Sequence, residues 1–231
     1  CLQRCGTSFG NTLVHFANRS LPKGASIGTD EEEFMKRFPA RTWFWNGGKP
    51  IFWMKDNNFG NHYTVTDEVY SRWQGSFVGF FRNPSLRAQS AYTHFVLENR
   101  TPGTDIVSQA EYASRIRGSQ TTMLSGQAYG LSCLWLKYGC NLSITPNANK
   151  AISRLAGFAF VGLTELYDLS ICLFHAMHGG PCLPVEFTNT RPGIARGAPV
   201  ALTAFTAWGG ILDGKDWLLY SEAQRRFFRN L

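Results

Sequence analysis

Cysteine pairs at metal-binding spacing are missing from this chain. Its six cysteines (Cys1, Cys5, Cys133, Cys140, Cys172 and Cys182) form no CxxC, and no histidine-rich spacing accompanies them, so a metal site is not expected. No apolar stretch of about 18 residues occurs, so nothing in the segment is expected to span a bilayer as a helix. No run of five or more basic residues occurs either, which argues against a nucleic-acid-binding arm. The Gly-Lys-Ser/Thr that ends a Walker A loop is absent, which weakens an ATP-kinase reading. Internal repeats, low-complexity tracts and linkers are lacking, so the chain reads as one domain over 1–231. No signal peptide is visible, and the first residue is Cys1. The segment therefore reads as a processed or N-terminally truncated piece whose membrane anchor, if it has one, lies upstream.

What is present is a globular composition. Of 231 residues, 44% are hydrophobic and only 17% charged, enough for a sizeable core. The 18 Phe and 7 Trp supply core and pocket material. The net charge of +7 favours anionic partners: a nucleotide, a sulfated or carboxylated polysaccharide, or nucleic acid, the last weakened by the scatter of the basic residues. The one dense charge run, Asp30-Glu31-Glu32-Glu33, reads as a solvated loop or helix start. Cys133 with Cys140, and Cys172 with Cys182, are close enough to close small disulfide loops. With the sequons at Asn18, Asn99 and Asn141 they tilt the reading towards an oxidising, secretory compartment.

Strand and helix patterns alternate. The sequence predicts helices at 11–17, from Asn83-Pro84 to about Glu98, within 108–137, from Thr145-Pro146 to Leu155, over Glu165–His178 and over Asp216–Phe228. It predicts strands at 51–54, 77–82 and 156–163. That order argues for βαβ units and a mostly parallel sheet. In such sheets ligands bind beyond the carboxyl ends of the strands, so the residues after each strand carry the interest.

Two segments fit anion chemistry. In Arg4-Cys5-Gly6-Thr7-Ser8-Phe9-Gly10-Asn11-Thr12 a glycine-rich turn leads into a helix, aiming N–H groups and a positive helix end outward. Thr7, Ser8 and Thr12 add hydroxyls and Arg4 a charge. In the second, Arg82 ends a strand, Asn83-Pro84 opens a helix and Ser90 follows eight residues after Arg82. An arginine fork and a serine hydroxyl can hold one phosphate from two sides. Taken singly, a capped helix start explains the first segment, and a surface arginine beside a small helix residue explains the second.

Together the two segments resemble the sulfotransferases that use 3′-phosphoadenosine 5′-phosphosulfate (PAPS), especially the Golgi carbohydrate branch. Arg4, Gly6, Thr7, Ser8 and Phe9 match that family's phosphosulfate loop. Arg82, Pro84, Arg87, Ser90 and Tyr92 match its 3′-phosphate segment. Gln120–Gly126, Phe160–Glu165 and Asp216–Phe227 are similar to later family segments, and Asn189-Thr190-Arg191-Pro192-Gly193 sits where the family places a basic loop over the donor. The loop lysine of the cytosolic branch is absent, and Arg4 stands as the nearest charge.

The resemblance implies a P-loop-like three-layer α/β fold, a mostly parallel central sheet flanked by helices. It implies PAPS as donor, the desulfated nucleotide PAP as product, no metal, and a hydroxyl acceptor, most readily a carbohydrate, in the Golgi lumen. Residues 4–12, Arg82, Ser90 and Arg191 would bind the donor. The family places its proton acceptor near 53–62, where Asp56 and His62 stand, with Lys55 beside them to steady the leaving oxygen. Asp56 as a turn residue and His62 as a surface or core histidine remain open, as do a P-loop-like kinase and a catalytically degenerate polyanion-binding module.

Overall fold

The computed structural model describes residues 45–46, 49–50, 64–75, 77–93, 108–127, 144–179, 184–187 and 213–231. A short antiparallel pair, β1 (Trp45–Asn46) and β2 (Lys49–Pro50), comes first. Then follow α1 (Asp67–Trp73), β3 (Phe77–Phe81), α2 (Pro84–Tyr92), α3 (Gln109–Arg115), α4 (Ser119–Ser125) and α5 (Ala148–Leu155). The described chain ends with β4 (Phe158–Leu163), α6 (Tyr167–His178) and α7 (Gly214–Asn230), with 3-10 turns at Thr164–Leu166 and Pro184–Phe187.

β3 and β4 run parallel, pairing Val78 with Phe160 through to Phe81 with Leu163, after a one-residue bulge between Phe77 and Val78. Side chains alternate faces along a strand. The neighbours Phe160 and Val161 are both fully buried, so both faces of this pair are covered. The expectation of an α/β fold with parallel pairing holds at this level. Aromatic rings fill the space: Phe77 stacks on Phe158 at 5.3 Å and Phe160 meets Phe174 edge-on at 5.1 Å. Gly162 is needed here, because a Cβ would come within 2.8 Å of the Phe80 ring and 2.9 Å of the Phe160 ring.

Local chemistry sets the element ends. The Asn83 side chain accepts from Ser85 N–H and Leu86 N–H, and Pro84 takes the first helical position, as the sequence predicts. The helical stretch expected within 108–137 breaks at Gly118, whose φ of +70° leaves the helical region and whose missing Cβ leaves room for Pro146. The helix expected from Thr145-Pro146 starts instead at Ala148, since Asn147 accepts from Lys150 N–H and becomes the cap. Ala156 and Gly157 belong to the turn after α5, so β4 starts at Phe158. The helix expected from Glu165 opens with a 3-10 turn before α6. α7 starts at Gly214 under an Asp213 cap, two residues earlier than expected, and ends two later at Asn230. The expected elements at 11–17 and 51–54 lie outside the described residues, as does the stretch beyond Thr93 in the helix expected to reach Glu98.

All seven residues of α4 are buried although five are polar. Two of their hydroxyls are satisfied within the helix: Thr122 donates to the Gly118 carbonyl at 3.0 Å and Ser125 to the Thr122 carbonyl at 3.1 Å. Among the described residues no helix is long and apolar enough to cross a membrane.

Phe81 is fully buried at the end of β3. Phe81→Ala is expected to lower stability by about 3–5 kcal/mol, read as a shift in the urea midpoint with little change in slope.

Candidate functional site

The carboxyl ends of β3 and β4 lie side by side, and four consecutive-pair residues meet there. Thr164 donates its hydroxyl to the Phe81 carbonyl at 3.1 Å, tying the start of one exit loop to the end of the other strand. Glu165, the next residue, accepts from the Asn83 N–H at 3.0 Å through Oε1 and from the Tyr220 hydroxyl at 2.9 Å through Oε2. Arg82 faces the same carboxylate, Nε to Oε1 at 3.9 Å, with 24% of its side chain exposed. At that distance and exposure the pair contributes on the order of 0–1 kcal/mol to stability. Arg82 thus stands at the strand end with its side chain partly exposed.

Ser90 sits half-buried on α2, six residues beyond Pro84 and so about 9 Å along the helix axis. The structure places Arg82 and Ser90 on one strand–helix unit, as the sequence predicts. Arg4, Cys5, Gly6, Thr7, Ser8, Phe9, Gly10, Asn11, Thr12, Lys55, Asp56, His62 and Arg191 lie outside the described residues. So does Cys182, while Cys172 is exposed on α6.

Arg87, grouped with Arg82 by the sequence resemblance, has a different environment. It is 2% exposed, and its Nη2 donates to Asp216 Oδ2 at 3.1 Å and to the Ile116 carbonyl at 3.3 Å. Asp216 is fully buried and also accepts from Gln120 N–H, Thr121 N–H and the Thr121 hydroxyl at 3.2, 2.8 and 2.7 Å. A carboxylate therefore caps the N-terminus of α4 and is held by an arginine from α2. Asp213 accepts from Gly118 N–H through both oxygens, at 2.9 and 3.0 Å. Burial and the nearby Asp216 charge push the Asp213 carboxyl up to about 7, against the pull of Arg87. This network fixes α2, α4 and α7 relative to one another behind the strand ends.

A third cluster lies on α6. His175 faces both Glu186 oxygens through Nε2, at 2.9 and 3.1 Å, and the Gly179 carbonyl through Nδ1 at 3.1 Å. With both ring nitrogens engaged, His175 clamps the 184–187 turn to α6 and offers no nitrogen for proton transfer. Burial, and then the Glu186 charge, raise the Tyr167 phenol well above its ordinary value, so its hydroxyl stays a donor to the Glu186 carbonyl at 3.0 Å. Burial lowers the His178 imidazole, which lies against the Phe160 and Phe174 rings.

Glu165 enters the sequence reading only as the end of the Phe160–Glu165 segment, without a role of its own. The rule that directs attention to residues after each strand applies to it as much as to Arg82, because β4 ends two residues before it. No family model, no curated protein and no solved structure matches this chain.

Two outcomes follow from the charges. The folded chain holds the Asp213 proton up to about 7, and the unfolded chain releases it near 3.8. Between those values the folded state binds more protons, so stability falls as pH rises, by at most about 1.4 kcal/mol per pH unit. Asp213→Asn keeps the cap and is expected to flatten that part of the melting-temperature profile between pH 4 and 7. Arg87→Ala strands a buried carboxylate and is expected to cost about 3–5 kcal/mol in chemical denaturation, whereas Arg82→Ala costs about 1 kcal/mol or less.

Proposed function

We propose that this chain is a sulfotransferase that moves the sulfuryl group of PAPS to a hydroxyl, most readily on a carbohydrate, within a P-loop-like three-layer domain. The observation that carries the reading is Arg82. It stands immediately after a parallel strand, at the carboxyl edge, followed by a helix that Asn83 and Pro84 open and that carries Ser90. A partly exposed arginine side chain at such an edge supports recognition of a phosphate dianion. The match of this segment and of residues 4–12 to the sulfotransferase pattern narrows that phosphate to the 3′ group of the donor nucleotide.

In this reading the loop at 4–12 holds the 5′-phosphosulfate and Arg191 covers it. The acceptor oxygen attacks sulfur in line, the bond from sulfur to the bridging oxygen breaks, and PAP departs with the electron pair. Asp56 or His62 takes the acceptor proton, and Lys55 steadies the bridging oxygen as its charge grows. The leaving group is already a phosphate, so positioning and electrostatics carry the rate without a metal. The net charge of +7 suits an anionic sugar polymer as acceptor, and the sequons and cysteines suit the Golgi lumen.

Calorimetry with PAP tests this. Binding in the micromolar range is expected, weakened roughly tenfold or more by Arg82→Ala and by Ser8→Ala. A folded wild-type protein that ignores PAP, or that prefers ATP, overturns the reading.

A further inference from the structure

Gly179, which ends α6, is tied to His175 twice. Its N–H donates to the His175 carbonyl at 2.8 Å, and its own carbonyl faces Nδ1 of the His175 ring at 3.1 Å. The other ring nitrogen, Nε2, faces both oxygens of Glu186, at 2.9 and 3.1 Å. A carbonyl only accepts, so Nδ1 carries a hydrogen. A carboxylate only accepts as well, so a proton lies between Nε2 and Glu186, on one partner or the other. The Glu186 side chain is fully buried and that of His175 is 7% exposed, and a carboxylate so placed is costly unless paired.

We propose that the His175–Glu186 pair is a proton-dependent latch that fastens the 184–187 turn to α6, closed while it holds that proton and opened as rising pH removes it. Without the proton a lone pair on Nε2 meets two carboxylate oxygens, and a buried carboxylate loses its partner. The neighbouring titratable groups do not imitate this change. Burial, then the Glu186 charge and then that of Asp168 hold the Tyr167 phenol well above its ordinary value, so it remains a donor to the Glu186 carbonyl. Burial lowers the His178 imidazole, which therefore stays neutral where an ordinary histidine begins to charge. Asp168 is exposed on the same helix. Glu165, on the turn before α6, is bonded to Asn83 and Tyr220, and β4, which packs against α6, carries no ionisable side chain. The contrast with Arg87 and Asp216 is chemical. Arginine keeps its proton throughout, so that fastening is permanent, whereas histidine can give its proton up.

The test follows the wild type, Glu186→Gln and Glu186→Ala from about pH 5 to about pH 9. NMR reads the His175 ring, and hydrogen exchange, corrected for intrinsic rates, reads the backbone protection of 184–187 with the β4 amides as reference. In the wild type the ring loses a proton and the turn loses protection over the same interval, by up to about tenfold per pH unit, because each opening releases one proton. The β4 amides stay protected throughout. Glu186→Gln is expected to keep the turn protected and abolish the pH dependence, since an amide accepts from a protonated Nε2 and donates to a bare one. Glu186→Ala is expected to leave the turn weakly protected at every pH. A ring that gives up its proton while the turn stays protected, or a ring and turn that do not change across the range, overturns the latch. So does the wild-type pH dependence persisting in Glu186→Gln, a folded Glu186→Gln as unprotected as Glu186→Ala, or full protection in Glu186→Ala. Should either variant fail to fold, the wild-type titration decides alone.

Discussion

Parallel pairing of Phe77–Phe81 with Phe158–Leu163 is the constraint on which the rest of the structure depends. Parallel strands cannot be joined by a tight turn, so the chain must travel back to the starting edge before the second strand begins. Here α2, α3, α4 and α5 lie along that return. The result is that both strands leave the sheet at the same edge. Residues some eighty positions apart in sequence, Arg82 and Asn83 on one side and Thr164 and Glu165 on the other, then face each other within hydrogen-bonding or ion-pairing reach. Aromatic packing on both faces holds the register, since a slip would move Phe160 and Val161 out of the spaces they fill.

The arginines of this region divide two tasks by burial. Arg82 and Arg87 are five residues apart, yet their side chains are 24% and 3% exposed. Arg87 neutralises a carboxylate that itself caps a helix, which is the condition under which a buried ion pair is tolerated. It has no charge to spare for a ligand. Arg82 approaches the Glu165 carboxylate at the longer distance of 3.9 Å and keeps part of its side chain exposed at the edge. Arg154, also buried, does structural work of the Arg87 kind. It donates to the Leu124 and Val65 carbonyls and pairs with Asp67, holding α1, α4 and α5 together. Arg226 donates to the Leu155 and Phe158 carbonyls at the turn that leads into β4.

The elements themselves were legible where local chemistry decides them. Asn83-Pro84 announces α2, the aromatic run at 77–81 announces β3, and Gly179 stops α6. The break at Gly118 was not legible, because the reason for it is Pro146 packing against it from a distant turn. The edge position of Arg82 could be read from strand-then-cap order alone. The burial of Arg87 could not, because Asp216 lies 129 residues away and nothing in the local pattern announces that it will cap α4. Glu165 was half legible: its place after a strand is local, but its grip on Asn83 and Tyr220 is a product of the crossover and of α7.

The account stands or falls on whether the carboxyl edge receives a nucleotide 3′-phosphate. Phosphorus NMR of PAP reads this directly, because the 3′ and 5′ phosphates give separate resonances. The account predicts that adding the protein shifts or broadens both, and that Arg82→Ala releases the 3′ resonance while the protein stays folded. A 3′ resonance unmoved by wild-type protein, or moved equally by Arg82→Ala, would contradict it.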